Sequence, residues 1–243
     1  MRDVPLPRFA THASRILLPG LYLRPVHRYF IKTPWLVKRL FSRYEWDAPA
    51  AGNTVYLTFD DGPHPVITPW VLDLLAEHGA KGTFFCIGKN VALHPGVFAR
   101  ITTEGHAVGN HTENHRNGWK TDTRDYLDNV RLAAARISSD LFRPPYGRIR
   151  AAQARGLAPA MGRPAPRVIM WDVLSADFDQ SITPQECIAN VLAHTVPGSI
   201  IVFHDSDKAW PNLKETLPVV LRSFREKGFQ MKAIGPLSPE GGT

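Results

Sequence analysis

Residues 58–63 carry two adjacent carboxylates directly after a short apolar run. Residues 54–57 are β-branched or apolar and predict a buried strand, which the Gly-Pro pair at the end of the segment would terminate. At a strand end, Asp60 and Asp61 can both reach one cavity, although like charges this close destabilise each other unless a cation separates them. A metal ion beside one carboxylate, with the other free as a base, would resolve that conflict. An ordinary turn of the same composition is the alternative.

Two histidines four residues apart follow in the segment 110–115. We predict that His111 and His115 lie on one face of a helical turn, so that both rings can converge on one ion. Together with Asp61 they would form a set of two histidines and one carboxylate with positions left open for water and substrate. Such a set suits Zn²⁺, Co²⁺ or Fe²⁺. The spacing of the two histidines does not by itself establish a metal site.

The segment 143–147 combines a cation with a stiff Pro-Pro turn. The guanidinium of Arg143 could pair with Asp60 and keep it ionised. The amide N–H of Tyr146 could point at a developing oxyanion. A rigid surface turn without any role in catalysis is the alternative.

Two further clusters follow strand-like segments near the carboxyl half of the chain. Residues 171–178 offer a buried carboxylate and an aromatic side chain that could orient a catalytic histidine and wall a pocket. Residues 200–204 form an apolar run that ends in His204, a general acid suited to neutral pH. An ordinary strand end and a partly exposed histidine are the alternatives.

Strand-like and helix-like segments alternate from residue 54 onward, which predicts a parallel sheet with crossover helices, either open or closed into a barrel. The predicted strands are 54–57, 83–87, 106–109, 141–142, 168–171, 199–203 and 229–233. The predicted helices are 66–78, 97–103, 123–138, 151–160, 184–194 and 215–227. Parallel strands carry functional sites at their carboxyl ends, and the five clusters fall there.

Length and composition favour one enzyme-sized domain. The chain has 243 residues, of which 44% are hydrophobic, enough for a single large core. Cys86 lies in an apolar run and Cys187 far from it, so no disulfide framework is expected. No apolar run approaches the length of a membrane span, and no signal peptide is recognisable, so we expect a cytoplasmic protein, with the cell envelope as the alternative.

The first 50 residues hold nine Lys/Arg against three Asp/Glu, which accounts for most of the net charge of +7. We predict a basic arm over residues 1–50 that packs on a catalytic domain over residues 51–243. A short helix is expected in the arm, capped by Thr33 and with Pro34 in its first turn. A contact with a membrane surface or a polyanion is the alternative use of the arm. Nucleic acid is not expected, because no recognition motif accompanies the charges.

In order and spacing, the five clusters resemble the polysaccharide deacetylase family, carbohydrate esterase family 4 with a nodulation-type deacetylase domain. The resemblance covers about residues 54–234. It implies an α/β fold, a distorted (β/α) barrel with about seven parallel strands. It also implies metal-dependent removal of acetyl groups from N-acetylglucosamine-type sugars in a glycan such as peptidoglycan or chitin.

The resemblance also implies roles for individual residues. Asp61, His111 and His115 would hold one divalent ion, Zn²⁺ before Co²⁺ or another metal. Asp60 would be the base, oriented by Arg143, and Asp177 would support the acid His204. Two departures alter the expected pocket wall, because Phe178 stands where the family commonly has Trp, and Phe203, expected beside the acetyl methyl, stands where Leu is usual.

Two other functions remain open at this point. One is a C–N hydrolase of the same fold that acts on a small amide, a formamide or a cyclic imide. The other is a non-catalytic carbohydrate-binding module, against which the intact set of base, metal ligands and acid argues. The sequence does not indicate an oligomeric state.

Overall fold

Eight parallel strands form one curled sheet in the computed structural model, which describes residues 29–48 and 52–235. The order of seven strands is β5-β4-β3-β2-β1-β7-β6, and β8 pairs with the start of β1. The strands are β1 (Thr54–Asp60), β2 (Gly82–Cys86), β3 (Ala107–Asn110), β4 (Leu141–Phe142), β5 (Arg167–Val168), β6 (Val173–Leu174), β7 (Ile200–His204) and β8 (Gln230–Met231). The predicted distorted α/β barrel is confirmed.

Nine helices and one 3₁₀ turn connect the strands within the described residues. The helices are α1 (Trp35–Leu40), α2 (Ile67–Glu77), α3 (Gly88–Leu93), α4 (Pro95–Thr103), α5 (Thr123–Ala134), α6 (Ala151–Arg155), α7 (Leu157–Met161), α8 (Pro184–His194) and α9 (Trp210–Glu226), and the 3₁₀ turn is Pro145–Gly147. In these described ranges each helix is too short or too polar to cross a bilayer.

The strand register brings chemistry-bearing residues to one edge of the sheet. Asp60, the last residue of β1, pairs with Phe85 of β2 on one side and with His204 of β7 on the other. Asn110, at the end of β3, pairs with Cys86 and lies directly before the first of the two histidines. The carboxyl ends of β1, β3 and β7 therefore meet at a common mouth.

The two faces of β7 serve different parts of the molecule, because neighbouring strand residues point in opposite directions. Ile201 and Phe203 pack into the main apolar core with the helices, and the Phe203 ring lies against Phe59 at 6.0 Å between centroids. Val202 and His204 face the inside of the curled sheet. Cys86 and Cys187 are both buried and free, and the burial of Cys86 agrees with its place in an apolar run.

Residues 29–48 of the arm bond to β6, to β5 and to the segment that precedes β7. Lys32 forms an isolated bridge with Val173, Glu45 with Ile169 and Asp47 with Ser199. Since β5 and β6 are the two ends of the strand order, this part of the arm spans the gap between them. Residues 1–28 lie outside the described residues, and the division of the chain at residue 50 stays a prediction.

Contrary to our prediction, Thr33 does not cap α1. Its backbone N–H donates to Asp172 at 2.8 Å and its hydroxyl donates to the carbonyl of Trp171 at 2.7 Å, so Thr33 fixes the arm to the barrel instead. Pro34 takes the N-cap position, and no side chain caps the helix.

Candidate active site

A cavity of about 480 Å³ opens at the carboxyl ends of the strands. Its lining unites residues from separate segments of the chain, as expected for a site on parallel strands. The lining residues are Tyr29, Asp60, Asp61, His111, His115, Tyr146, Trp171, Leu174, Phe178, Val202, His204, Ser206 and Lys208.

Asp61, His111 and His115 converge in this cavity. Each offers one ligand atom, and these atoms lie within 4.8 Å of one another. Oδ1 of Asp61 is 3.2 Å from Nε2 of His115 and 3.8 Å from Nε2 of His111. This buried oxygen has no hydrogen-bond partner among the described residues, which is costly unless a cation compensates it. The three side chains therefore fit one divalent ion.

Both histidines present a bare nitrogen to the cavity. Nδ1 of His111 lies 2.8 Å from the carbonyl oxygen of Arg143, which can only accept, so Nδ1 carries the proton and Nε2 is free to bind a metal. Burial and then the neighbouring His111 lower the pKa of His115 to about 4, which keeps its ring neutral at pH 7. Burial would raise the pKa of Asp61, but His204, His111 and His115 outweigh it and lower the pKa.

The two histidines are not on a helical turn, contrary to our prediction. Thr112 has φ of 63° and His115 has φ of 53°, both in the left-handed region. Polar side chains shape this loop, because Asn110 accepts from the Thr112 amide at 2.8 Å and Asn129 of α5 accepts from the Asn114 amide at 3.0 Å. Side chains that bond nearby backbone groups favour such turns over helix.

Asp60 lies beside the metal-ligand set and is held by a buried guanidinium. Nη1 of Arg143 donates to Oδ1 of Asp60 at 2.7 Å and to the Thr58 hydroxyl at 2.7 Å. The other nitrogens of Arg143 donate to the carbonyls of Ile169 and Met170. The guanidinium therefore has a partner on each side, as a buried charge requires.

His204 faces the cavity from β7 and is oriented by Asp177. The two oxygens of Asp177 accept from Nδ1 and from the backbone amide of His204, each at 2.8 Å. Burial would lower the pKa of His204, but Asp177, with further help from Asp61 and Asp60, outweighs it and raises the pKa to about 9. His204 is therefore cationic at neutral pH and able to donate a proton from Nε2.

The aromatic side chains of Tyr146 and Phe178 line the cavity. The ring of Tyr146 lies 4.6 Å from that of His115, and Tyr146 is itself left-handed with φ of 61°. The ring of Phe178 packs edge-on against His204 at 5.1 Å and lies below the ammonium of Lys208. The role of the Tyr146 amide at an oxyanion stays a prediction.

Phe203 does not line the cavity, which corrects our prediction. It is fully buried in the core on the helix side of β7. Val202, one residue earlier, faces inward and lines the cavity together with Leu174. Because side chains alternate along a strand, Val202 shares a face with His204, whereas Phe203 points to the opposite face.

Comparisons with known proteins agree with this geometry. A family model described as polysaccharide deacetylase matches residues 47–163. A peptidoglycan-N-acetylglucosamine deacetylase of Bacillus cereus is 31% identical over 210 residues, which cover 76% of this chain and 74% of the relative. The chain belongs to the polysaccharide deacetylase family.

Further relatives of this deacetylase carry related names. A chitooligosaccharide deacetylase of Sinorhizobium fredii is 38% identical over 159 residues, which cover 63% of this chain and 72% of the relative. The crystal structure of a peptidoglycan N-acetylglucosamine deacetylase superposes with a TM-score of 0.69 at 29% identity, covering 79% of this chain and 91% of the other.

Several residues that position the deacetylase site were missed by sequence reasoning. Asp61 has φ of 81°, and its carbonyl accepts from Asn90 of α3 at 2.7 Å. Oδ1 of the buried Asp205 accepts from the Gly62 amide at 3.0 Å, and a Cβ at Gly62 would lie 2.1 Å from the other Asp205 oxygen. Burial raises the pKa of Asp205 to about 8, with the charge of Asp61 adding to it. The adjacency of Asp205 to His204 was the only signal for it in the sequence.

Proposed function

We propose that this protein removes the acetyl group from N-acetylglucosamine-type sugars of a glycan, with Zn²⁺ as its metal. One observation carries the proposal. Asp61, His111 and His115, drawn from two separate segments, meet around one point, and the carboxylate of Asp60 lies beside them. The printed names of the relatives, which act on peptidoglycan or chitooligosaccharides, support the choice of substrate.

The metal would supply Lewis-acid chemistry. Asp61, His111 and His115 would hold a divalent ion, whose Lewis acidity would polarise an acetyl carbonyl and make a nearby water molecule more acidic. Zn²⁺ suits a set of two imidazoles and one carboxylate with open positions.

Asp60 accepts the proton of the attacking water. An amide carbonyl is a poor electrophile, so the nucleophile must be activated by a base within hydrogen-bond reach. Arg143 fixes the Asp60 carboxylate by one charged hydrogen bond at 2.7 Å and leaves its other oxygen free for the water.

His204 donates a proton to the departing nitrogen. An amine leaves poorly as an anion, so cleavage of the C–N bond needs an acid that is protonated at working pH. Asp177 raises the pKa of His204 and so favours that form, and it fixes the ring so that Nε2 faces the cavity.

Two variants separate metal binding from chemistry. His111→Ala should lose bound Zn²⁺ and acetate release together, whereas Asp60→Asn should keep the metal and lose at least about 100-fold in kcat. Metal content is measured by mass spectrometry after dialysis, and acetate is measured with chito-oligosaccharides as substrate. His94→Ala, at the junction of α3 and α4, is the matched histidine control.

Three outcomes would contradict the proposal. Full turnover by Asp60→Asn would remove the assigned base. Acetate release from small acetamides but not from chito-oligosaccharides would assign a small-amide hydrolase instead. Failure of the wild-type chain to bind any divalent metal would favour a non-catalytic carbohydrate-binding module.

We also propose that the arm contacts a membrane surface. Trp35, Leu36 and Leu40 of α1 are 70%, 56% and 69% exposed. Arg39 and Arg43 lie beside them, and neither guanidinium is in an ion pair among residues 29–48 and 52–235. Exposed Trp and Leu next to Arg are typical of segments that lie in the interface of a bilayer. A cytoplasmic location stays a prediction.

A further inference from the structure

A second cavity, of about 410 Å³, lies beside the catalytic one. We call it the arm groove, because residues of the arm form one of its walls. It is lined by Tyr29, Phe30, Thr33, Val37, Phe41, Tyr44, Trp46, Trp119, Tyr146, Gly147, Arg148, Ile149, Met170, Trp171 and Leu174. Its volume lies within the range of about 300–1,000 Å³ that is usual for small-molecule sites.

The arm groove borders the catalytic cavity. Tyr29, Tyr146, Trp171 and Leu174 line both cavities, so a molecule that lies across these residues reaches both. The shared wall is tightly packed, because a Cβ at Gly147 would lie 2.7 Å from the Trp171 ring.

The lining of the arm groove is mostly apolar. Twelve of its fifteen residues have aliphatic or aromatic side chains, and Arg148 is the single charged residue among them. The lining holds no Asp, Glu, Asn or Gln, and its polar side-chain groups are those of Thr33 and Arg148 and the hydroxyl and indole N–H groups of the Tyr and Trp residues. A hydrocarbon chain placed against this surface would gain from burial.

The arm wall of the groove is anchored to the barrel. Lys38 of α1 bonds the buried Asp172 at 2.5 Å, and Thr33 bonds the Asp172 carbonyl. Val37 therefore faces the groove, while its helix neighbours Trp35 and Leu36 face outward. A chain that leaves the groove meets this outward apolar face of α1.

We propose that the arm groove binds an apolar chain attached to the N-acetylated sugar, so that the substrate of this deacetylase is amphiphilic. The sugar occupies the catalytic cavity and the hydrocarbon chain occupies the arm groove. This inference rests on the proposed function, because it names the substrate class of the same site.

Alkyl glycosides of N-acetylglucosamine test the proposal. Methyl and dodecyl glycosides are compared below the micelle-forming concentration, by acetate release and by equilibrium binding to the Zn²⁺-loaded full chain. Each buried methylene contributes about a fourfold gain in affinity, so the dodecyl glycoside should exceed the methyl glycoside more than tenfold in both measurements. Binding does not require turnover, so it judges the groove even if no acetate is released.

Charged substitutions in the arm groove should reduce the preference for the dodecyl glycoside over the methyl glycoside. Val37→Asp and Phe41→Asp each place a carboxylate against the chain, and we expect the dodecyl-to-methyl ratio to fall at least tenfold. Phe41 is half exposed, so its replacement leaves the core untouched. Leu132→Asp, on the exposed face of α5, is the matched control and should leave the ratio unchanged.

Three results would overturn the proposal. The first is a dodecyl-to-methyl affinity ratio near one for the wild-type protein. It would mean that no hydrocarbon chain enters the groove, as when residues of the protein itself already fill it. The second is a ratio that the two groove variants leave unchanged. The third is a gain with chito-oligosaccharide length that the groove variants abolish, which would make the groove a glycan site.

Discussion

Arg143 contacts both Asp60 and His111 in the active site. Its guanidinium fixes Asp60, and its carbonyl oxygen fixes the tautomer of His111. The proposed base and one proposed metal ligand are thus positioned by the same buried residue. Its guanidinium lies between the Phe85 ring at 4.1 Å and the carbonyls of Ile169 and Met170. A displacement of Arg143 would disturb proton transfer and metal binding together.

At the same scale, Asp177 determines the charge of His204. The carboxylate of Asp177 favours the cationic form of the ring and therefore raises the pKa of His204. In the metal-free protein, an NMR titration of the His204 ring should give a pKa of about 9. Asp177→Asn should shift that pKa downward, because only the smaller effects of Asp61 and Asp60 are then left to oppose burial.

The same substitution should move the basic limb of the pH profile of the Zn²⁺-loaded enzyme to lower pH. Activity that depends on protonated His204 is lost as pH rises through its pKa, so the variant loses activity earlier. Asp179→Asn, two residues away and outside this ion pair, is the control. An unchanged limb in Asp177→Asn would exclude His204 as the acid.

At the scale of elements, the sequence predicted best where local signals were strong. Helix α8 was predicted over the residues it occupies, with Pro184 in its first turn. The structure adds a capping box of Thr183 and Glu186. Helix α9 begins at Trp210, five residues earlier than predicted, and Pro211 fits its first turn. The elements α3 and β6 were missed, being six and two residues long without a readable period.

The conformation of the site loops could not be predicted, although the site residues could. The described non-glycine residues with positive φ are Asp61, Thr112, His115, Tyr146 and Ala176, and each lies within one residue of a predicted site residue or is one. Such strain is maintained by tertiary contacts that a sequence does not display, here from Asn90 and Asn129. The Phe203 prediction failed for another reason, because strand register was not applied to the residues before His204.

The junction between arm and barrel depends on Asp172, which is 1% exposed and bonded by Lys32 and Lys38 at 2.5 Å each and by Ser199. Removing one partner of a buried ion pair costs about 3–5 kcal/mol. Both ammonium groups keep some contact with water, so we expect Asp172→Asn to lower the free energy of unfolding by about 2 kcal/mol. Urea unfolding measures the change.

The stability that this junction contributes depends on pH through the carboxyl group of Asp172. Burial would raise the pKa of Asp172, but the bonds from Lys32, Lys38 and Ser199 lower it. Its ion pairs therefore stabilise the fold above about pH 4 and are lost as pH falls through the lowered value. Asp47→Asn is the exposed control and should cost less than about 1 kcal/mol. Equal losses in both variants would show that Asp172 does not hold the arm.

At the scale of the whole molecule, the described part of the arm brings basic and exposed apolar side chains together. It displays Trp35, Leu36 and Leu40 beside Arg39 and Arg43. The arm groove lies between this face and the catalytic cavity, with Val37 on its arm wall. A membrane on this side would place an amphiphilic substrate where both cavities can receive it.

Vesicle sedimentation of the full chain tests this orientation. We expect binding to phosphatidylglycerol–phosphatidylcholine vesicles, weakening as salt screens the charges, and little binding to phosphatidylcholine alone. Arg39→Ala should weaken binding about fivefold, since each basic residue near an anionic surface contributes about 1 kcal/mol. Trp35→Ser should weaken it further by removing buried apolar area.

Arg155→Ala and Leu132→Ser, on other surfaces, are the matched controls. If these controls weaken binding as much as the α1 variants, or if the α1 variants bind as the wild type does, the face of α1 is not the membrane contact. In that case the groove would have to receive its substrate from solution, and the dodecyl glycoside would be bound no better when presented in vesicles than when free.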